Sequence, residues 1–515
     1  MATSLSRRRE MPMFKRILIA NRGEIAVRII RACREMGIET VAIFSAADRG
    51  ALHVREADYA VYVGPPPAAE SYLKTERIID AAKSTGAEAI HPGYGFFSEN
   101  AKFAKAVADA GIVFIGPRPD SIAKMGDKVQ ARKMMIAAGV PTVPGSPDTL
   151  ETEGEVRGLA EKIGFPIMLK AAAGGGGKGM RLIEHDKDLA SAMRSVASEA
   201  KASFGDGRFY VEKFVNRPRH IEFQVFADQQ GHTVHLFERE CSIQRRHQKV
   251  VEESPSPFVT PKMREAMGEI AVRAAQAVNY VGAGTIEFLA DADRNFYFLE
   301  MNTRIQVEHP VTELVTGIDL VRLQIEVAAG NPLPFKQSGL KQTGWAVECR
   351  IYAEDVSNGF APAPGHIDTM RVPDGPGIRN DSGVYAGSEV SVFYDPMISK
   401  LAAWGRTRLE AIERMRRALG EFTISGELST NLDFHRWLVR HPRFVAGDFD
   451  TNFINQEFAP ALLAPKSDPE RVAAVLIAAV QSQPPANGAK PQWQTAGAAP
   501  VSPWKTYGRV ESLRR

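Results

Sequence analysis

Five glycines fall within the six positions Gly174 to Gly179 of the run Lys170-Ala-Ala-Ala-Gly174-Gly175-Gly176-Gly177-Lys178-Gly179-Met180. A backbone without Cβ atoms can lay its N–H groups against an anion, and Lys170 and Lys178 flank it with charge suited to phosphates. A flexible hairpin turn is the plainer alternative. The run is not a Walker loop, because Gly179 rather than Ser or Thr follows Lys178. A second set, Glu287, Glu300 and Asn302, offers the oxygen ligands that Mg²⁺ or Mn²⁺ takes together with substrate phosphates; solvated acids on a surface hairpin are its alternative. A third, Arg304, Gln306 and Glu308, alternates along the chain. If extended, it presents a bidentate anion receptor, an amide and a carboxylate base from one side, which suits a small planar oxyanion. Arg245-Arg246-His247-Gln248-Lys249, followed by Glu252-Glu253, is dense in charge and by itself reads as a solvated face.

These residues need elements to position them. The metal set requires a hairpin of Ala283 to Ala290 with Asn295 to Asn302 and the loop Asp291 to Arg294. In that register Ala290 opposes Asn295 and Glu287 opposes Phe298, so that Glu300, on the face of Phe298, lies one diagonal step from Glu287. A loop one residue longer or shorter would separate the two faces. Upstream, the apolar run Phe14 to Ala20 leads into Asn21-Arg22-Gly23 and then into helical spacing of Ile25, Ile29, Ala32 and Met36. Strands at Thr40 to Ser45 and Glu88 to His91, with an amphipathic helix at Leu73 to Ser84, complete a βαβ pattern and predict a parallel sheet over the first 115 or so residues. The loop lacks GxGxxG, which argues against a nicotinamide site. A helix follows Met125-Gly126-Asp127-Lys128 up to Gly139, and the Pro-rich Pro141 to Pro147 reads as a hinge. Phe165 to Lys170, Arg208 to Phe214 and Ile221 to Ala227 predict a small, mostly antiparallel lobe. Residues 342 to 450 read as β-rich, and a helical patch at Pro469 to Gln481 precedes a Pro/Ala/Gly/Gln-rich stretch of linker character.

At roughly 150 residues per domain, a chain of 515 residues predicts about three. Lys and Arg number 64 against 61 Asp and Glu, too small a surplus for a nucleic-acid footprint, so anions must be bound by local sites. Cys33, Cys241 and Cys349 are spaced for neither a metal motif nor a disulfide framework, which predicts a reducing compartment. No apolar stretch is long enough to span a membrane and the start shows no secretory h-region, so a cytoplasmic protein is expected, with the mitochondrial matrix as the minor alternative.

Six blocks in order, Asn21-Arg22-Gly23-Glu24-Ile25-Ala26, His91-Pro92-Gly93-Tyr94-Gly95, Met125-Gly126-Asp127-Lys128, the glycine run, Gln244-Arg245-Arg246-His247-Gln248-Lys249 and Glu300 to Pro310, resemble the biotin carboxylase family of ATP-grasp enzymes over about residues 13 to 450. The resemblance implies an α/β and α+β fold. Its parts would be a Rossmann-like (pre-ATP-grasp) N-terminal domain at 13–124, an ATP-grasp domain at 125–332 with a small mobile lid at about 142–216, and a β-rich C-terminal domain at 342–450. It implies that Lys128 and Lys170 hold ATP phosphates under Gly176 and Gly177, that Glu212, Lys213, Phe214 and Val215 line the adenine, and that His220, Gln244 and His247 face the nucleoside. Glu287, Glu300 and Asn302 would hold two Mg²⁺ or Mn²⁺ ions. Lys249, Arg304, Gln306 and the Val307 backbone would bind bicarbonate, Glu308 would be the base, and Arg350 would contact biotin.

The implied enzyme is an ATP-dependent ligase that carboxylates biotin through carboxyphosphate, as the first half-reaction of an acyl-CoA carboxylase acting on acetyl-CoA or propionyl-CoA, with another acyl-CoA or pyruvate as further acceptors. Lys178 and Phe97 stand where Arg and Leu are frequent in the family. The biotin-accepting pattern Ala-Met-Lys-Met is absent from the sequence, and a transferase domain does not fit after residue 450. A biotin carboxyl carrier protein and a carboxyltransferase are therefore expected on separate chains, in a homodimer or larger complex without nucleic acid or membrane. Residues 451–515 would be packing or a partner-docking tail. Competing readings are an ATP-grasp ligase that forms an acyl phosphate from another carboxylate, and a catalytically silent scaffold.

Overall fold

Ile17, Leu18 and Ile19 have no exposed surface, so the strand Arg16–Ile19 needs cover on both faces, the condition of a parallel sheet. The computed structural model, which describes residues 13–150, 152–171, 180–204, 208–463 and 477, places it at the centre of one. The strand order is Tyr59–Gly64, Glu39–Ser45, Arg16–Ile19, Ala89–His91 and Val113–Phe114, all parallel. Helices Gly23–Glu35 and Thr75–Thr85 pack their apolar stripes on it. The strands Tyr59–Gly64 and Val113–Phe114, at the two edges of the sheet, were not foreseen; the second is only two residues long. Tyr59–Gly64 has Tyr59 and Tyr62 exposed, and so lacks the apolar run of its neighbours.

The second sheet has eight antiparallel strands in the order Phe296–Asn302, Gly282–Ala290, Arg219–Ala227, Thr233–Arg245, Gln248–Ser254, Trp345–Tyr352, Met397–Gly405 and Ile378–Ser382. Two expectations change here. Arg219–Ala227 does not belong to the small lobe; it is buried along its whole length in the middle of this sheet. The β-rich region after 342 does not form a sheet of its own either, because Val251 pairs with Cys349 and Ser254 with Ala346, which carries one sheet across the join. That region also contributes helices Arg408–Glu421 and Leu432–Leu438, whose apolar positions Ile412, Met415, Leu419 and Phe434 are fully buried.

The lobe itself is three antiparallel strands, Met180–Ile183, Ile167–Ala171 and Phe209–Lys213, covered by helices Glu153–Ile163 and Leu189–Phe204. The glycine run 172–179 and the tail patch Pro469 to Gln481 lie outside the described residues, apart from Ala171 before the run and Ile477 within the patch. No helix among the described residues is long and apolar enough to cross a membrane.

The metal hairpin forms in a different register from the expected one. Ala290 pairs with Phe296, so the loop is one residue longer, which alone would have turned Glu300 to the wrong face. A β-bulge between Phe288 and Glu287 restores it: Phe288 faces Phe298, but Glu287 then pairs with Glu300 and Thr285 with Asn302. Phe288 and Phe298 thereby enter the apolar core while both carboxylates keep the polar face.

The Pro-rich segment joins the lobe through backbone contacts. Gly145 bridges to Glu212, Ser146 N–H donates to the Val211 carbonyl at 2.8 Å, and Lys213 N–H to the Pro144 carbonyl at 2.7 Å. A Cβ on Gly145 would stand 2.2 Å from the Val211 carbonyl oxygen. Gly145→Ala is therefore expected to cost ~1–3 kcal/mol, the usual penalty of overpacking. Its lower thermal midpoint should be accompanied by faster proteolysis near residue 145, and an unchanged midpoint would show that the segment yields without strain.

Candidate active site

Pairing across the large sheet sets Glu300 opposite Glu287, Glu287 opposite Glu222, and Glu222 opposite Arg239. Opposed residues share a face, so three acids and one guanidinium form a row across four strands. Like charges so placed repel, and cations inserted among them decide the arrangement. The Lys249 ammonium donates to Glu287 Oε1 at 2.7 Å, to Glu308 Oε1 at 2.7 Å and to Glu222 Oε2. Arg239, fully buried, binds Glu222 Oε1, Gln224 Oε1 at 2.7 Å, Thr312 Oγ1 at 2.9 Å and Thr285 Oγ1 at 3.1 Å. Arg350 donates to Glu308 Oε2 at 2.9 Å and to Glu252 Oε1 at 2.6 Å. His220 Nε2 lies 2.9 Å from Glu287 Oε2, and its Nδ1 lies 3.0 Å from the Gln244 amide nitrogen.

The acids divide into two classes. Burial would raise Glu287 and Glu308, but Lys249 and His220 hold the first below the ordinary carboxylate range, and Lys249, Arg350 and Arg239 hold the second well below it. Burial raises Glu222 despite Arg239 and Lys249, and burial together with the Glu287 charge raises Glu300. Burial lowers the His220 imidazole, yet Glu287 beside it prevails and raises it. Environments that separate like groups in this way assign them different tasks.

In front of Glu300 opens a cavity of about 380 Å³, lined among others by Lys128, Arg132, Tyr210, Glu212, Asn302 and Arg304. Lys128 opens the helix Lys128–Ala137, capped by the Asp127 side chain. Lys170 and Glu212 face each other across the lobe strands, Nζ to Oε2 at 2.5 Å, and Arg132 holds the other Glu212 oxygen at 2.8 Å. Asn302 donates to Glu287 Oε1 at 2.8 Å and accepts from Arg304 at 3.2 Å. Glu287, Glu300 and Asn302 thus share one polar face with oxygens fit for a hard cation.

Several expected placements differ. Arg304, Gln306 and Glu308 do not form an extended row: the chain leaves the strand after Asn302, and Glu308, at φ −80° and ψ 14°, starts the helix His309–Thr316. Gln306 and Glu308 still turn to the same centre, since the Gln306 amide lies 3.4 Å from Glu287 Oε1. Arg304 is held by Glu99 at 2.8 Å. The Lys213 ammonium turns away to the carbonyls of Gly164 at 2.9 Å and Phe165 at 3.0 Å, while Phe214 and Val215 are half-buried beyond it. His247 is exposed in the two-residue turn Arg246-His247, both at positive φ. Gly176 and Gly177 lie outside the described residues.

Glu222 and Arg239 escaped the reading of the sequence, as did Glu99, which holds Arg304; Glu252, read there as part of a solvated face, is instead fully buried and holds Arg350. A signal existed. Glu222 and Gln224 alternate with Ile221, Phe223 and Val225 in a strand buried throughout, so its second face is polar without being solvated.

Three family models match in succession: biotin carboxylase, N-terminal domain, over residues 13–122; carbamoyl-phosphate synthase L chain, ATP binding domain, over 127–336; and biotin carboxylase C-terminal domain, over 348–456. The biotin carboxylase of Nostoc sp. is 54% identical over 443 residues, 86% of this chain and 99% of that one. The chain belongs to the biotin carboxylase family. It has the three-domain biotin carboxylase fold and is an ATP-dependent ligase of that type. The propionyl-CoA carboxylase alpha chain of Ruegeria pomeroyi is 51% identical over 489 residues, 90% of this chain and 72% of that one. Among solved structures, the Campylobacter jejuni biotin carboxylase in a β,γ-ATP complex superposes with a TM-score of 0.84 at 47% identity, covering 86% of this chain and 99% of that one.

Removing one partner of a buried ion pair is expected to cost roughly 3–5 kcal/mol. Arg239→Met should therefore lower the denaturant midpoint of this biotin carboxylase strongly, and Arg239→Met with Glu222→Gln should recover much of the loss. In the single variant Glu222 has lost its strongest cation and its already raised carboxyl rises further. The folded state then keeps a proton that the unfolded state releases above about pH 4.3, so stability should fall as pH rises from 5 to 8. A pH-independent loss would show that Arg239 acts by packing alone.

Proposed function

We propose that the chain catalyses the first half-reaction of an acyl-CoA carboxylase, in which biotin borne on a carrier protein is carboxylated at the expense of ATP and bicarbonate. The observation that carries this reading is Glu308, with no exposed surface, held between Lys249 and Arg350 next to Gln306 and Glu287. Two cations, an amide and a carboxylate around one point can take a planar oxyanion and move a proton. Bicarbonate takes Lys249, Arg304, Gln306 and the Val307 N–H, and attacks the γ-phosphate to give carboxyphosphate and ADP. Carboxyphosphate breaks down to CO₂ and phosphate. The N1′ proton of biotin passes to the phosphate or to Glu308, and the enolate, oriented by Arg350, attacks CO₂.

Lys128 and Lys170 hold the phosphates in this reading, with Gly176 and Gly177 over them. Glu212, Lys213, Phe214 and Val215 border the adenine, and His220, Gln244 and His247 the nucleoside. Lys170 must then exchange Glu212 for phosphate oxygens. Mg²⁺ or Mn²⁺ at Glu287, Glu300 and Asn302 supplies neutralisation of the charge that develops on the phosphates. The lobe and its glycine run close over the site, because carboxyphosphate must be kept from water.

Binding of bicarbonate also makes Glu308 a better base. An anion that draws Lys249 to itself weakens the largest of the charges that hold the carboxyl low, so its affinity for a proton rises.

An acyl-CoA as final acceptor is supported by the Ruegeria pomeroyi propionyl-CoA carboxylase alpha chain, 51% identical over 489 residues. A carrier and transferase on partner chains are supported by the biotin carboxylases matched over nearly their whole length. The test is bicarbonate-dependent ATP cleavage stimulated by free biotin. Glu308→Gln should lower the biotin-dependent rate by ~10²–10⁴-fold while leaving the KM for ATP near normal, as expected for loss of a general base. A near-normal rate would place proton removal elsewhere. The complex purified from its source should carboxylate acetyl-CoA or propionyl-CoA, and carboxylation of pyruvate alone would overturn the choice of acceptor.

A further inference from the structure

Two N-terminal motifs, Asn21-Arg22-Gly23-Glu24 and His91-Pro92-Gly93-Tyr94-Gly95, have no part in the chemistry above, yet both lead to the back of the loop 304–308. The Asn21 amide donates to the carbonyls of Pro92 and Tyr94, each at 2.7 Å, which locks the motifs together. Three residues on, Glu24 Oε2 lies 3.2 Å from Lys400 Nζ, an ion pair without hydrogen-bond alignment, and the Tyr94 ring centre lies 5.7 Å from the same nitrogen. Lys400 has no exposed surface, and its ammonium donates to the Val307 carbonyl at 2.9 Å.

The preceding carbonyl, that of Gln306, accepts from His309 Nδ1 at 2.8 Å. His309 is fully buried, and burial together with Lys400, Arg379 and Arg28 holds its imidazole well below the usual value. The ring is therefore neutral, with its one proton on Nδ1 as the carbonyl requires, and its buried Nε2 is left without a partner.

In a trans peptide the N–H points away from its own carbonyl. Fixing the carbonyls of Gln306 and Val307 on donors behind the loop turns the N–H groups of Val307 and Glu308 away from those donors, and neither N–H is bonded among the described residues. A buried ammonium whose hydrogen bond goes to a neutral carbonyl is a costly way to fill space, since an apolar side chain packs there without desolvating a charge. Aim gives it a purpose that filling does not.

We propose that Lys400, with Glu24 as its counter-ion, and His309 are positioning residues for bicarbonate: they hold the carbonyls of Gln306 and Val307 from behind, so that the N–H groups of Val307 and Glu308 stay directed at the anion. The proposal rests on the reading of this loop as the bicarbonate receptor and adds the Glu308 N–H to it. It also gives the N-terminal motifs their work, which is to brace the receptor.

The test varies bicarbonate and ATP separately in the biotin-dependent assay, using the full chain. His309→Leu removes one donor. Lys400→Met combined with Glu24→Gln removes the other together with its nearest carboxylate, while Asp381, 4.0 Å from the ammonium, keeps its pairing to Arg379. Each should raise the KM for bicarbonate by about tenfold or more, the scale on which supporting residues tune a site, with the KM for ATP unchanged. His309→Asn, whose amide nitrogen can stand in for Nδ1, should restore bicarbonate affinity. Equal rises in both KM values, or an Asn variant no better than Leu, would reduce the two residues to packing and overturn the proposal. If the Lys400 variant does not fold, the His309 pair decides by itself. Arg304→Lys separates the two levels. A raised bicarbonate KM there with unmoved values in the His309 and Lys400 variants overturns the positioning role alone, whereas unmoved values in all of them overturn the receptor reading as well.

Discussion

Three carboxylates, those of Glu222, Glu287 and Glu308, meet at one ammonium, that of Lys249. Two unit charges about 4 Å apart near a protein surface repel by ~4 kcal/mol, so acids gathered on one sheet face could not stay ionised without a cation between them. Lys249 meets that condition from the strand Gln248–Ser254, and its partners come from three other segments. Its position therefore fixes how Arg219–Ala227, Gly282–Ala290 and the turn at Glu308 stand relative to one another. Arg239 and Arg350 complete the balance on either side, the first on Glu222 and the second on Glu308.

The sheet makes this meeting possible through its register. Cross-strand partners share a face, and the row from Glu300 through Glu287 and Glu222 to Arg239 follows from pairing alone. Beyond Gln248–Ser254 the same logic continues, with Glu252 opposite Glu348, Arg350 opposite Lys400 and Lys400 opposite Asp381. One continuous sheet thus carries metal-ligand candidates at one end and the candidate biotin contact towards the other. This explains why the C-terminal strands share it instead of forming a separate layer.

Much of this was legible in the residues, and what was not has physical causes. The parallel N-terminal sheet announced itself through apolar runs and helical spacing, except for its two edge strands: exposure erases the pattern in Tyr59–Gly64, and Val113–Phe114 is too short to show one. That Glu287 and Glu300 share a face was foreseen, though through an incorrect register that set them one diagonal step apart instead of directly opposite. The loop is longer by one residue and a bulge adds another, and two shifts by one restore the alternation. Neither shift is written in a local motif; the bulge lets Phe298 join the core beside Phe288 while Glu300 stays on the polar face, which is a tertiary demand. The predicted row Arg304, Gln306, Glu308 failed because helix His309–Thr316 begins at once and bends the chain. Glu222 and Arg239 were missed for the opposite reason, since a buried polar strand face looks in sequence like an ordinary exposed one.

The cations of the site differ in what they are free to do. Arg239 has no exposed surface, and its nitrogens bind Glu222, Gln224, Thr285 and Thr312, all groups of the protein itself, so it can leave none of them without stranding a buried polar atom. Lys249 and Arg350 share Glu308, whose place as ion-pair partner an incoming anion can take. The contacts that close the site on itself are therefore the ones substrate must take over. Paired in this way, the Glu308 carboxyl is held well below its ordinary range by Lys249, Arg350 and Arg239. In the proposed reaction it would gain basicity once an anion occupies its cations, which would couple proton transfer to the presence of bicarbonate through an exchange of ion-pair partners.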